Sequence, residues 1–300
     1  MKVDLVMWTK NGARTLPYVL NRIREIIPAE AINSKMIVDD RSTDETRELA
    51  KSFGWDVIFN AGRGISDGAN TALAHVTTDY FISFEQDLLL ARDWWDSIPR
   101  YFSSQKKMAA AQGIRFADRT IGLEKLQKYV AKRERELYGR KAQASTWLRP
   151  LKSTRARQIA SFTGVKTLDN TMYDTGIIRK LGGFPKMERN AGVDVVLAHR
   201  IRQEGYCWAV DYNVQSVHFR ETLKQELRHQ YWYGTAQYEI RSKTNEEQNH
   251  FVLFDTIRFL LSPFTGLFAA MKTREATIVY MVPLIRLFYM KGLLEAGRHM

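Results

Sequence analysis

Two pairs of carboxylates in this 300-residue chain have a spacing that suits a divalent cation: Asp39-Asp40 and Glu85-x-Asp87. Each pair follows a short apolar run, Lys35-Met36-Ile37-Val38 and Tyr80-Phe81-Ile82-Ser83-Phe84. Hard oxygen ligands suit Mg2+ or Mn2+, which take one or two protein carboxylates and leave other positions for water and substrate phosphates. Either pair alone says little. Asp39-Asp40 followed by Ser42-Thr43-Asp44-Glu45 also reads as N-cap chemistry for a helix through Leu49, and an isolated Glu-x-Asp arises by chance. Their joint position after two strands is the informative feature. His218, in Ser216-Val217-His218-Phe219, follows an apparent last strand and serves equally as a metal ligand or a satisfied structural histidine. His75, His199, His229 and His250 share no spacing typical of zinc. Cys207 is the single cysteine; it excludes an intramolecular disulfide framework, fits a reducing compartment and reads as a small core residue.

The elements that must carry these groups alternate as βαβ units do. Val3 to Trp8 is β-rich and ends in the polar turn Thr9-Lys10-Asn11-Gly12, after which Leu16, Val19, Leu20, Ile23, Ile26 and Ile27 recur at helical spacing. Asp4 interrupts the apolar run a secretory signal would need, so this stretch reads as a first strand. Asp56-Val57-Ile58-Phe59 is a third strand; Gly62, Gly64 and Gly68 then break the chain before a helix from Ala69 to His75. Repeated strand, loop and helix imply an α/β fold with a doubly wound, mostly parallel sheet. Ligands bind such sheets at the carboxyl ends of the strands.

Charge is unevenly spread. Forty-five Lys and Arg against 33 Asp and Glu give a net charge of +12, which points to an anionic partner. Residues 113–170 hold 14 basic and 5 acidic residues, a net of +9. Leu123, Leu126, Val130 and Leu137 form a sparse apolar stripe there, on a helix that is either solvated or turned towards an anion or a membrane. No zinc-finger, RRM or basic-zipper signature accompanies the charge, so nucleic acid is the weaker partner.

Residues 251–271 and 276–294 are two apolar segments joined by Lys272-Thr273-Arg274-Glu275, a link short enough for an antiparallel helical hairpin. Asp255, Arg258 and Pro263 interrupt the first, and Pro283, Arg286 and Lys291 the second. A charge at mid-bilayer costs about 2.5–3.5 kcal/mol, so Arg286 argues against a simple isolated span. Interfacial, tilted or re-entrant helices remain, as do core helices of a soluble domain.

At this point the sequence resembles family 2 glycosyltransferases. Val38-Asp39-Asp40-Arg41-Ser42-Thr43-Asp44 is similar to the family's V-D-D-G-S-T-D stretch, and Val6 to Gly12 to its V-I-P-T-Y-N-G start. Asn60 to Gly64 through Asn70 resembles its glycine-rich segment, and Phe84-Glu85-Gln86-Asp87-Leu88 stands where F-L-D-A-D-L would. Gly182-Gly183-Phe184, Val193-Asp194 and Arg200 to Tyr206 follow in the family's order, so the likeness spans about residues 3–234. Three departures stand out: Glu85 for the first Asp of D-x-D, Val193 for the Glu of an E-D pair, and Arg41 for a Gly. Arg228-His229-Gln230-Tyr231-Trp232 looks like a degraded Q-x-x-R-W element of cellulose-synthase-like members.

The resemblance implies a GT-A fold and inverting transfer from a nucleotide sugar. On it, Thr9, Asn11, Asp39, Asp40, Asn70, Glu85 and Asp87 are donor-side residues, with Asp87 on the metal and Glu85 on ribose or metal through water. Mn2+ or Mg2+ is the cofactor, with His218 a second candidate ligand. Asp194 is the candidate general base. Gly176, His229 and Trp232 are assigned to the acceptor, although Trp232 fits a buried interface aromatic as well. Similarity to dolichyl-phosphate mannosyltransferases makes GDP-mannose the expected donor and UDP-glucose the competitor. The expected acceptor is a polyprenyl phosphate or lipid-linked glycan, at the cytoplasmic face of a membrane. The expected division is a nucleotide-sugar half at 1–112, an acceptor half at 113–235 with a basic insertion at 113–170, and a membrane-associated region at 236–300. The competing readings are a basic nucleic-acid-binding protein and a silent membrane scaffold.

Overall fold

A computed structural model describes residues 1–104, 107–117, 122–144, 166–219, 222–245 and 251–298. Its first strand, β1 (Val3–Thr9), is buried along its whole length. Val3, Leu5 and Met7 enter one core while Val6 and Trp8 enter another, the two-residue period of a strand covered on both faces. Asp4 lies within this strand; burial opposes its charge, but bonds from Asn33, Ser34, Thr77 and Thr78 pull its pKa down to about 2. The remaining strands are β2 (Ile32–Asp39), β3 (Asp56–Phe59), β4 (Tyr80–Phe84), β5 (Leu88–Leu89), β6 (Met108–Ala117), β7 (Asn170–Asp174) and β8 (Cys207–His218).

They form one sheet in the order β3-β2-β1-β4-β7-β6-β8-β5. β1 is parallel to β2 and β4, β2 to β3, and β6 to β8. β7 runs antiparallel to both β4 and β6. Two reversals restore direction, so β6 and β8 point the same way as β1, β2 and β4. The carboxyl ends of these five strands and the amino end of β7 therefore share one edge, the edge at which the doubly wound expectation places a ligand.

Thirteen helices are described: α1 (Leu16–Ile26), α2 (Thr46–Ser52), α3 (Gly64–His75), α4 (Trp94–Ser97), α5 (Arg100–Ser104), α6 (Leu123–Ala144), α7 (Thr175–Lys180), α8 (Val193–Gln203), α9 (Leu223–Thr235), α10 (Gln237–Lys243), α11 (Phe251–Leu260), α12 (Ser262–Thr273) and α13 (Ile278–Gly297). α1 packs on one face of the sheet, α3 and α8 on the other.

Four expectations are corrected. α3 begins at Gly64, not Ala69, so Gly68 lies inside it; a Cβ there would stand 3.1 Å from Trp8 Cβ, and this close approach to β1 outweighs glycine's poor helix propensity. The Ser42 to Glu45 stretch caps α2 only through Asp44, whose Oδ1 accepts the Thr46 N–H at 3.2 Å, while Glu45 at the N-cap position makes no side-chain bond. Instead Ser42 Oγ and Thr46 Oγ1 accept the N–H groups of Asn11 and Gly12, tying the loop after β1 to the loop after β2. Cys207 is exposed, because it opens β8 before that strand enters the core at Val214. The first C-terminal apolar segment is two helices, α11 and α12, bent by 55° at a break where Pro263 occupies the first turn of the second. No single described helix is long and apolar enough to cross a membrane, though this bent pair passes by length and composition.

α6 turns the expected apolar stripe inward over its described part: Leu123 and Leu126 are buried against Ala269, Ala270, Met281 and Ile285 of α12 and α13, with Val130 partly buried beside them. Leu137 and the basic stretch 145–165 lie outside the described side chains. α13 is locked to α9 by two glycines. A Cβ at Gly234 would come within 2.1 Å of the Tyr289 carbonyl, and one at Gly292 within 2.1 Å of the Tyr231 carbonyl. The two helices therefore touch backbone to backbone.

Candidate metal and donor site

Glu85 and Asp87 follow β4, and His218 ends β8. They meet because β5 pairs with β8 in the register Leu88 to His218, which folds the loop after β4 back onto the last strand. His218 Nε2 stands 3.5 Å from Asp87 Oδ1 and 3.8 Å from Glu85 Oε2. One ligand atom from each residue lies within 4.8 Å of the others, so the three can converge on a metal ion. The set is chemically coherent for one. Two carboxylates supply hard, anionic oxygens, and the imidazole adds a nitrogen that a purely Mg2+ site rarely uses, which favours Mn2+. The carboxylate side chains keep 27% and 32% of their exposure while His218 keeps 6%, leaving an open side for other ligands.

Asp39 lies at the same edge, at the end of β2. It is fully buried, its Oδ2 accepts the Ser42 N–H at 3.0 Å, and its Oδ1 has no hydrogen-bond partner among the described residues. A buried carboxylate oxygen without a donor is costly, so this atom suits a ligand hydroxyl or N–H. Asp40 is committed to the protein: it accepts from Gly64 N at 3.1 Å and faces Lys10 at 3.8 Å and Arg41 at 3.1 Å. Arg41 has φ of 60°, which accounts for glycine being the family's usual residue there, and it spans from Asp40 to the Gly62 carbonyl.

The loop after β1 is held from both sides. Asn11, with φ of 51°, accepts the Thr43 N–H on its side-chain oxygen. Gln86, between the two acidic residues, pairs with the Lys10 backbone through both amide atoms at 3.0 Å and hydrogen-bonds Thr9 Oγ1. A Cβ at Gly12 would stand 2.6 Å from Gln86 Oε1, so a larger residue there would displace the Gln86 amide. Gln86 thus fixes the Glu85-x-Asp87 loop against the Thr9 to Gly12 loop.

Asp194 lies in the first turn of α8, whose N-cap is Gly192 with φ of 80°. Its carboxyl pKa is raised to about 6: burial drives it up against the pull of the Arg115 guanidinium and the Val195 N–H, with the Asp169 and Glu85 charges adding to the rise. Arg115, near the end of β6, is paired to Asp169 at the amino end of β7 and stands 3.7 Å from Glu85 Oε2. Asp169 is fully buried and also accepts Thr167 Oγ1 at 2.5 Å. The metal group, Arg115 and Asp194 thus form one electrostatically coupled cluster.

Arg115, Asp169 and Gln86 are not among the residues singled out from the sequence; the available signal for the first was a lone charged residue in an otherwise uncharged ten-residue strand. Among the expected acceptor residues, His229 packs edge-on against Trp232 and against Tyr233, its neighbours on α9. Trp232 Nε1 donates to the Arg189 carbonyl at 2.7 Å, and the ring borders a recess lined by Arg189, Tyr231, Thr235 and Glu295. Asn70 uses its amide on Ser66 O and on both backbone polar groups of Phe184, joining α3 to the Gly183 turn. Gly176 is not brought to the cluster. It lies beyond the carboxyl end of β7, whose Asp174 pairs with Tyr80 at the amino end of β4, the opposite edge of the sheet from Glu85.

Residues 4–182 match the family model described as glycosyl transferase family 2. No curated protein sequence matches significantly. Among solved structures, the mannosyltransferase PcManGT from Pyrobaculum calidifontis, in complex with GDP-Man and Mn2+, is 15% identical and superposes with a TM-score of 0.63 over 99% of this chain and 87% of that one. Glucosyl-3-phosphoglycerate synthase from Mycobacterium tuberculosis, in complex with Mn2+, UDP and glucosyl-3-phosphoglycerate, is 13% identical with a TM-score of 0.52, covering 83% of this chain and 81% of that one. The same enzyme with Mg2+ and UDP gives 12% identity and a TM-score of 0.56 over 83% and 81%. The shared architecture is the GT-A fold.

Proposed function

The chain belongs to glycosyl transferase family 2, and on that premise we propose that it is a metal-dependent enzyme moving a hexose from a nucleotide sugar to a lipid-linked acceptor. The observation that carries the reading is the convergence of Glu85, Asp87 and His218 at the strand edge that also presents the Asp39 carboxylate, with Arg115 against Glu85 and Asp194 within reach of their charges. In it, Glu85, Asp87 and His218 hold Mn2+ or Mg2+, which supplies charge neutralisation for a departing diphosphate. Asp39 receives a hydrogen bond from the base or ribose, on a floor shaped by Thr9, Asn11 and Asp40. Asp194 faces the acceptor, and transfer inverts the sugar by single displacement.

GDP-mannose is the preferred donor; the mannosyltransferase whose fold this chain shares was solved with GDP-Man and Mn2+. Polyprenyl phosphate is the preferred acceptor, at the cytoplasmic face of a membrane. The apolar exposed side of α11 and α12 supports a lipid acceptor. The division into a donor half at 1–112, an acceptor half at 113–235 and a membrane-associated region from 236 belongs to the same reading.

One observation favours a second acceptor class. A phosphate monoester, with a second pKa of about 6, is ionised at neutral pH and needs no base, whereas Asp194 has the raised proton affinity that a base for a sugar hydroxyl would use. Transfer of glucose from UDP-glucose to a glycan hydroxyl is therefore the alternative. A screen of labelled nucleotide sugars with Mn2+ and membrane extract tests the proposal. Label entering the lipid fraction from GDP-mannose is the expected result; label entering no product from any donor would reject it.

A further inference from the structure

We propose that α11 and α12 form an in-plane docking surface for an anionic lipid bilayer, seated in one leaflet without crossing it. The purpose of such a surface rests on the lipid-linked acceptor proposed above; its geometry and its test do not involve transfer.

The two helices are inside out. Between residues 253 and 272 every exposed residue is apolar except Thr265 and Lys272, and none is acidic. On α11, Leu253, Phe254, Ile257 and Leu260 recur at helical spacing on the outward side, while Asp255 is 4% exposed and meets Arg258 and Tyr289 inside. On α12, Phe264, Leu267, Phe268 and Met271 face outward, and the small residues Gly266, Ala269 and Ala270 face the protein. A continuous apolar face of this kind marks an interaction surface.

Shape decides between lying and crossing. At about 1.5 Å per residue the 10 and 12 residues of α11 and α12 give arms of roughly 15 and 18 Å, each short of a hydrocarbon core of about 30 Å. The arms are bent by 55° and are not free on all sides. α12 rests on α13, where a Cβ at Gly266 would stand 2.9 Å from the Val279 carbonyl, and α13 is itself clamped to α9. One side of the pair is protein, so only the other can meet lipid.

Charge selects the kind of surface. α6 packs Leu123 and Leu126 against Ala269 and Ala270, so the helix that carries the exposed Lys132, Arg133 and Arg135 borders α12, while Lys125 pairs with Glu275 and Lys128 with Glu124. Lys272 and Arg274 close the end of α12. A basic margin next to an apolar plate matches anionic headgroups above acyl chains. A second copy of the chain would bring the same positive margins together.

Flotation of the whole chain with vesicles, without any sugar donor, tests this. Expected are co-flotation with phosphatidylcholine vesicles containing phosphatidylglycerol, weaker flotation with phosphatidylcholine alone, and release by an alkaline carbonate wash. Phe264→Glu with Phe268→Glu should lower partitioning by at least about tenfold. Both side chains are exposed, so an unchanged thermal transition is the control for folding. Lys132→Glu with Arg133→Glu should remove the preference for anionic vesicles. No flotation, equal flotation of the phenylalanine variant, resistance to carbonate, or a dimer in light scattering abolished by that variant would each overturn the proposal. Flotation without transfer from any nucleotide sugar would count against the proposed function alone; transfer without flotation would count against the docking surface alone.

Discussion

His218 Nε2 and Asp87 Oδ1 lie 3.5 Å apart, although 131 positions separate the two residues in the chain. The pairing of Leu88 with His218 causes this, since it brings the loop after β4 onto the end of β8. The histidine is held almost fully buried while the carboxylate keeps an open side, as suits a rigid nitrogen ligand beside an exchangeable oxygen face.

Replacing His218 should therefore weaken metal use without abolishing it. His218→Ala should shift the Mn2+ activation curve to higher concentration by about tenfold or more, because two carboxylates remain. Asp87→Asn should remove metal-dependent activity altogether. An activation curve for His218→Ala that overlays the parent would show that the imidazole is structural.

Asp194 should separate the two acceptor classes. Its pKa of about 6 makes it protonated below that value and a base above it, so transfer to a hydroxyl should rise with pH along a limb near 6. Asp194→Asn should erase that limb and cost a hundredfold or more. With a polyprenyl phosphate acceptor the limb persists in Asp194→Asn, because the acceptor's own second ionisation, about 6, produces it, and transfer stays nearly intact.

Arg115 should act on Asp194 as well as on stability. Arg115→Ala leaves the fully buried Asp169 without its cation, a loss of about 3–5 kcal/mol in unfolding free energy measured by denaturant titration. Arg115→Lys keeps the charge but not the planar fork. Because the guanidinium holds the Asp194 pKa down, a charge placed less closely lets it rise, and the pH limb for a hydroxyl acceptor should move upward.

The contact between α9 and α13 should tolerate no added methyl. Gly234→Ala puts a Cβ 2.1 Å from the Tyr289 carbonyl oxygen, so the helices must separate, at a cost of about 1–3 kcal/mol read as a lowered Tm. Gly292→Ala should behave alike, and the double variant should fall short of the sum, since either one opens the same contact.

Much of this site could be read from the chain. Asp39, Glu85 and Asp87 were legible because they come at or just after the ends of short apolar strands, and parallel strands bring such ends to one edge. The likeness of Val193-Asp194 and of the run around Asp40 to a family pattern supplied the rest. Arg115 was not legible, because its partner Asp169 is distant in sequence and only the antiparallel insertion of β7 brings them together. Gly176 stands apart from the metal cluster for a related reason: β7 reverses direction and carries the residues beyond it to the opposite edge. Hydropathy marked the C-terminal helices but not the 55° bend, which Pro263 starts and packing against α13 completes. Composition marked α6 as basic but not its packing against α12, which joins helices far apart in the chain.

Calorimetric titration of GDP and of UDP, with Mn2+ and with excess chelator, tests the central claim most directly: that Glu85, Asp87 and His218 hold a metal at a nucleoside-diphosphate site. The expected result is binding of at least one nucleotide with Mn2+, weakened about tenfold or more by chelator and by Asp87→Asn. Absence of binding by either nucleotide, or binding unchanged by chelator and by the variant, would contradict it.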